Sequence, residues 1–334
     1  MSNIEHIPVP NEFKTNKNIP NIQTETVDIC PVCGTNKFET YAYGYDYEIQ
    51  TCSNEWRFVK CTSCAHIWLN PRPAIKELAT IYPSTYYAYN YEENINPIAV
   101  FGKNILDNLK FSNILSYCKK NVRTFCDVGC GTGRFLRLME KKGVTKVNNY
   151  GLELEEDSIK KIKEDGFQVY AERVEDCSKI PLGSLDLVTM FHVIEHVDNP
   201  GVVIDKIVSW LSEDGIFAIE TPNINSKDAI KYKKTYWGGY HFPRHWNLFS
   251  EKTMIKLLED RGLEVIAVKY QTGHSFWMYS NHHQTRYDKG NIQASKKYDP
   301  MKGLPLLIMF TLYDKIRILL GAKTSAMLLI AKKK

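Results

Sequence analysis

The stretch Phe125-Cys126-Asp127-Val128-Gly129-Cys130-Gly131-Thr132-Gly133-Arg134-Phe135-Leu136 constrains this chain more than any other. A short apolar run meets three glycines on alternate positions, and helical spacing begins near Arg134. The reading is strand, tight turn, helix. The glycines let the backbone take positive φ and approach a ligand closely. The helix behind them presents free N–H groups at its start. About twenty residues past the last glycine, Tyr150-Gly151-Leu152-Glu153 reads as a strand end closing on a carboxylate. That is the spacing at which a second strand supplies an acid to ribose hydroxyls.

A dinucleotide fingerprint runs G-x-G-x-x-G around a pyrophosphate. Here the order is G-x-G-x-G, preceded by Asp127, which disfavours a nicotinamide-dependent oxidoreductase. The motif resembles the first motif of class I S-adenosylmethionine-dependent methyltransferases. The likeness extends to Leu185-Asp186-Leu187-Val188 followed by His192-Val193-Ile194-Glu195-His196-Val197. It continues in Glu220-Thr221-Pro222-Asn223 and in Trp237-Gly238-Gly239-Tyr240-His241-Phe242-Pro243-Arg244-His245. It covers about residues 124–261, and the last strand as well.

The resemblance implies an α/β fold with a doubly wound, mostly parallel, Rossmann-like sheet of seven strands. It implies S-adenosylmethionine as cofactor, with contacts from Asp127, Gly129, Cys130, Gly131, Gly133, Glu153, Leu154, Val174 and His192. The glycines would line the methionine portion, and Asp127 would order the turn or meet the amine through water. Glu153 would accept both ribose hydroxyls, since one carboxylate offers two acceptor oxygens. Leu154 would cover the adenine, and His192 would flank the cofactor. After the third strand, Glu172-Arg173-Val174-Glu175-Asp176 offers several alignments for the adenine contact.

Cys30-Pro31-Val32-Cys33 and Cys61-Thr62-Ser63-Cys64 can each sit on a tight knuckle and point two thiolates at one tetrahedral centre. The Tyr-, Thr- and Phe-rich stretch between them reads as strands, so the unit reads as a small N-terminal zinc ribbon. Iron is the chemical competitor, because the same four thiolates suit it. With every position filled by sulfur the metal has no open site, and its role would be structural. Nine cysteines with two such pairs point to reduced thiols and a cytoplasmic setting. No signal peptide is apparent, and no apolar run approaches the ~18 residues of a membrane span.

Taken in order, residues 1–28 read as a flexible arm, 29–70 as the ribbon, and 71–122 as a helical linker with a tyrosine-rich stretch, 82–91, that could lid a pocket. Residues 123–334 read as the methyltransferase domain. βα alternation predicts strands at 124–128, 149–153, 167–171, 184–191, 215–220, 263–270 and 325–331. The last two strands of the family normally form a hairpin; here an insertion at about 274–323 separates them.

The loop after the fifth strand should border the acceptor side, since ligands sit beyond the carboxyl ends of the strands in an open parallel sheet. His245 is the first choice for general base and His241 the second, because an imidazole titrates near neutrality. Arg244 could grip a phosphate or carboxylate of the acceptor. His192-x-x-Glu195-His196 matches the inverted zincin pattern, but it leaves a strand rather than lying on one helix, so Glu195 and His196 more plainly shape the loop. His274, His282 and His283 are too loosely spaced to argue a second metal.

Zinc-ribbon enzymes of this resemblance are often tied to sugar or cell-surface polysaccharide biosynthesis. That implies a small-molecule acceptor, a sugar or lipid-linked precursor. Lys+Arg number 43 against 38 Asp+Glu, too even a balance to predict a nucleic-acid partner. The competing function is a ribbon that binds nucleic acid or protein, with a methyltransferase-like domain attached. The apolar stretch 304–320, edged by Lys302, Lys315, Arg317 and Lys323, could meet a membrane surface. The plainer reading, a helix buried against the sheet or in a dimer contact, is favoured by the pattern.

Overall fold

The computed structural model describes residues 9–10, 12–13, 18–83, 86 and 97–334, with side chains from residue 100 onward in the last stretch. Most of the tyrosine-rich stretch expected to lid a pocket, and much of the expected N-terminal arm, lie outside the described residues.

In chain order, the four-cysteine segment contributes β1 (Phe38–Gly44), β2 (Trp56–Cys61) and β3 (Ile67–Leu69). Then follow α1 (Pro97–Leu115), β4 (Phe125–Val128), α2 (Arg134–Lys141), β5 (Asn149–Leu152), α3 (Glu156–Glu164) and β6 (Gln168–Tyr170). Next come β7 (Leu185–Phe191), α4 (Pro200–Trp210), β8 (Leu211–Pro222), α5 (Glu251–Glu259) and β9 (Leu263–Gln271). The chain closes with α6 (His274–His283), α7 (Leu304–Leu319) and β10 (Ala326–Lys333). α1 stops at Leu115. There the amide of Tyr117 turns back to the Ile114 carbonyl and the Ser116 hydroxyl donates to Asn113 O.

The chain forms two compact units. One holds residues 87–221, 254–269 and 328–334; the other holds 1–86, 222–253 and 270–327.

The first unit carries the seven-stranded sheet, ordered β9-β10-β8-β7-β4-β5-β6. The pairs β4–β5, β4–β7, β5–β6 and β7–β8 are parallel. All four residues of β4 are buried, as a central strand covered on both faces requires. The helices start where the sequence offers caps. The Glu155 carboxylate accepts from the Asp157 and Ser158 amides at α3, and Asn199 accepts from Val202 ahead of Pro200 at α4. Phe135, Leu136 and Met139 of α2 join Phe111, Phe125, Ile162, Val169 and Leu328 in one apolar core.

The second unit builds a four-stranded antiparallel sheet from β1, β2, β3 and the distant segment Asn247–Leu248, which pairs with β3. Its core gathers Trp56, Phe58, Trp237, Tyr240, Phe242 and Trp246. Arg244 and Asp46 lie fully buried in it as a bidentate pair, with Nη1–Oδ1 at 2.9 Å and Nη2–Oδ2 at 3.0 Å. The insertion is helical. α7 anchors through Asp314, which is fully buried and accepts from the Gly273 amide at 2.9 Å and from the Trp277 indole at 3.3 Å.

Candidate functional site

The glycine-rich turn leaves the end of β4 as the spacing requires. Gly129, Gly131 and Gly133 all have positive φ, at 72°, 50° and 79°. The amides of Gly129 and Cys130 both donate to the Leu152 carbonyl of β5, at 2.8 and 3.0 Å. The crossing is tight at two of the three glycines. A Cβ on Gly129 would fall 2.3 Å from Val193 Cγ2, and one on Gly133 would fall 2.9 Å from Ile162 Cγ1. A Cβ on Gly131 would meet nothing within 4 Å among the described residues. The middle of the turn is therefore open on its outer side.

Glu153 follows β5 directly and reaches across to that turn. Its Oε2 accepts from the Gly131 amide at 2.8 Å, and its Oε1 from the amides of Leu154 and Glu155 at 2.7 and 3.1 Å. Asp127, inside β4, is buried. Its Oδ1 accepts from the Thr189 hydroxyl of β7 at 2.6 Å, while Oδ2 is buried with no hydrogen-bond partner among the described residues. Burial outweighs the Thr189 hydrogen bond and raises the Asp127 carboxyl to about 7. Cys130 is buried with its sulfur toward β5, so that a Cβ on Gly151 would lie 2.7 Å from it. Leu154 stands exposed after Glu153, and Val174 is buried.

His192 directly follows β7 with φ at 56° and stands between two carboxylates. Its Nδ1 lies 3.2 Å from Glu195 Oε1 and its Nε2 lies 3.3 Å from Glu220 Oε1. Glu195 is fully buried and also accepts from the Thr221 hydroxyl at 3.0 Å. Lys110 of α1 sits 2.5 Å from the other Glu220 oxygen. Burial works against charging the imidazole, but the hydrogen bonds and charges of Glu195 and Glu220 prevail and raise His192 to about 9. Burial likewise disfavours ionised Glu220, yet Lys110 and His192 hold it at about 2. Glu195 and His196 occupy a short 3-10 turn, Ile194–His196, so the two histidines do not share one helix face.

In the second unit His241 and His245 are both buried. His241 Nδ1 bonds Glu48 Oε2 at 2.7 Å, and its Nε2 bonds the Tyr86 hydroxyl at 2.9 Å. His245 Nδ1 bonds the Gly239 carbonyl at 2.8 Å. Arg244 departs from expectation. Its guanidinium is spent on Asp46, the Ile81 carbonyl and Thr51, so it is a buried strut and not a grip for an acceptor. The nearby positions Asp46, Glu48 and Tyr86 carry no motif, and only the fold makes them neighbours of this loop. In the first unit the same holds for Thr189 and Lys110.

Cys30, Cys33, Cys61 and Cys64 come together, with all four sulfurs within 4.8 Å of one another. Cys30–Cys64 and Cys33–Cys61 are 3.6 Å apart, well beyond a disulfide. Tetrahedral thiolate ligation at ~2.3 Å from a zinc sets sulfurs about 3.8 Å apart, so the set fits such an ion. The amides of Ser63 and Cys64 point at Cys61 Sγ, both at 3.3 Å, as knuckle amides would toward a thiolate. Among the described residues, His274, His282 and His283 belong to no group of metal-ligating geometry.

A family model described as a methyltransferase domain matches residues 101–268. The chain belongs to that family. Among curated relatives, the ubiquinone biosynthesis O-methyltransferase of Neisseria meningitidis serogroup C is 26% identical over 163 residues, 44% of this chain and 66% of the relative. The enzyme of that name from Thiobacillus denitrificans is 28% identical over 177 residues, 51% of this chain and 64% of the relative. The chain spans from 42% to 66% of the length of such relatives. Among solved structures, a SAM dependent methyltransferase from Archaeoglobus fulgidus aligns with a TM-score of 0.45 at 20% identity, covering 71% of this chain and all of that one. A protein from Pyrococcus horikoshii aligns with a TM-score of 0.47 at 14% identity, covering 75% of this chain and 99% of that one.

The His192 cluster gives a pH signature. An imidazole raised to about 9 stabilises the fold fully below its unfolded pKa near 6.5, and that contribution is lost as pH rises through 9. Ring NMR of His192 should therefore show a midpoint well above 6.5, and Glu220→Gln should lower it. A midpoint at or below 6.5 in the parent protein would contradict the two-carboxylate clamp.

Proposed function

We propose that this chain transfers a methyl group from S-adenosylmethionine to an oxygen of a small-molecule acceptor, of the sugar or polysaccharide-precursor class. The observation that carries the reading is the closed turn 129–133, with glycines at positive φ and the Glu153 carboxylate on the Gly131 amide. Family membership supports the cofactor, and the names of the relatives support an oxygen acceptor. The acceptor class rests on the resemblance to enzymes that pair a four-cysteine ribbon with this domain.

When bound, S-adenosylmethionine supplies a methyl group on a sulfonium, already a good leaving group. The chain's own work is then placement and removal of one proton. Glu153, with three backbone amides on its carboxylate, keeps a lone-pair position with which it accepts a ribose hydroxyl. Asp127 offers an unpartnered, buried carboxylate oxygen, which suits a cationic amine. The open side of Gly131 leaves room for the methionine portion. Cys130, Leu154, Val174 and His192 complete the proposed cofactor contacts.

For the proton, the reading takes His241 first and His245 second, reversing the order the sequence suggests. With Nδ1 hydrogen-bonded to Glu48, the neutral His241 ring keeps Nε2 as its accepting nitrogen, and a carboxylate behind it stabilises the imidazolium that forms. The Tyr86 hydroxyl at Nε2 stands where an acceptor hydroxyl would donate. His245 is bound through Nδ1 to the carbonyl of Gly239, a neutral group. Cys30, Cys33, Cys61 and Cys64 are proposed to hold one structural zinc.

Glu153→Ala should weaken S-adenosylmethionine binding by about 1–3 kcal/mol, the cost of leaving buried polar groups unpaired. Calorimetry giving equal affinity for parent and variant would remove Glu153 from the ribose.

Turnover should be sought on a panel of sugar nucleotides and phenolic acceptors. On whichever is methylated, His241→Ala should lower kcat by about 10²–10⁴ with cofactor affinity kept. Loss in His245→Ala alone would return the role to that residue, and loss in neither would end the imidazole-base reading.

Elemental analysis should find one zinc per chain, and Cys30→Ser with Cys61→Ser should abolish it and lower thermal stability. Iron in its place would change the metal but keep the site; no metal, with four freely reactive thiols, would refute the site.

A further inference from the structure

α7 is buried on one side only. Phe310 stacks on Trp277 with ring centroids 5.8 Å apart, Tyr313 meets the same indole edge-on, and Asp314 is buried beneath them. The other side carries Ile308, Met309, Leu312, Ile316, Leu319 and Leu320, which are 45–86% exposed. Their spacing places them on one helical face. A helix of this length rises about 1.5 Å per residue, so the stripe runs most of ~24 Å. The expectation of a helix buried against the sheet therefore fails for this face.

The charges around the stripe are mostly basic. Residues 296–323 hold six basic side chains, Lys296, Lys297, Lys302, Lys315, Arg317 and Lys323, against Asp299 and Asp314. Asp314 is buried and paired with Arg317 at 3.1 Å, and Lys323 is paired with Glu251 at 2.6 Å, so neither pair adds net charge to the border. Lys296, Lys297, Lys302 and Lys315 are exposed. No helix among the described residues is long and apolar enough to cross a membrane.

We infer that the exposed face of α7 lies in the interfacial plane of an anionic lipid bilayer. Its aliphatic side chains enter the acyl boundary and the flanking lysines meet the headgroups. The charge pattern selects this occupant. Packing the stripe against a second copy would set two basic borders side by side, whereas an anionic surface neutralises them. The inference uses only α7 and its flanks, and stands whether or not the methyl-transfer reading does.

The test is co-sedimentation of the full chain with vesicles of phosphatidylcholine alone and with 30 mol% phosphatidylserine, at physiological and raised salt. Binding is expected on the anionic vesicles, falling at least tenfold without phosphatidylserine and weakening with salt. Leu312→Asp with Ile316→Asp should abolish it while circular dichroism and thermal midpoint stay those of the parent. Lys302→Glu with Lys315→Glu should weaken it with the apolar stripe intact. Absence of binding to the anionic vesicles would overturn the inference, as would undiminished binding by the aspartate variant. So would a dimer in light scattering that the aspartate variant dissociates, because the stripe would then belong to a second copy.

Discussion

The hydrogen bond from the Gly131 amide to Glu153 is the contact on which the candidate site depends. It joins the turn after β4 to the end of β5, and the same carboxylate also takes the amides of Leu154 and Glu155. A carboxylate offers about four lone-pair positions, and three backbone donors already direct this one. Its orientation is thus fixed by main chain rather than by flexible side chains. Asp127 works in the opposite sense. It is tied to Thr189 on one oxygen and left unsatisfied on the other, at the cost of a carboxyl that burial pushes toward neutrality. One acid is held on both oxygens by main chain, and the other keeps one oxygen unpaired among the described residues.

Beside them, His192, Glu195, Glu220 and Lys110 form a chain of alternating charge. Two carboxylates face an imidazolium and an ammonium, so the cluster carries little net field. Each buried acid has a specific cation, which is the condition under which burial of charge is tolerable. The left-handed backbone of His192 keeps its ring at the strand edge between the two acids, a conformation a non-glycine residue adopts only where its surroundings enforce it.

The sheet was legible because its signals are local. The alternate glycines, the β-rich runs and the capping residues at Glu155 and Asn199 all act within a few positions. The four cysteines were legible as two short pairs. What the sequence hid are partnerships across long separations: Glu48 with His241, Asp46 with Arg244, Lys110 with Glu220. None of these acids or bases sits in a motif, and a buried arginine has the same letter as an exposed one. The apolar stretch 304–320 misled for a related reason. Periodicity reports that a helix has an apolar face, and α7 has two, of which the fold covers one.

The ribbon sheet takes its fourth strand from Asn247–Leu248, and His66 bonds Asn247 across 181 residues of chain. During synthesis the cysteines emerge early, yet β3 keeps an unpaired edge until residue 248 has left the ribosome. Through that interval an open strand edge is a site for wrong pairing. A metal gathered by the four sulfurs would hold the nascent ribbon in register while the sheet strands β4 to β8 are being made. If the four-cysteine cluster holds the metal proposed for it, the order of synthesis gives it a task in time, as a clasp that would close well before the rest of its own unit exists.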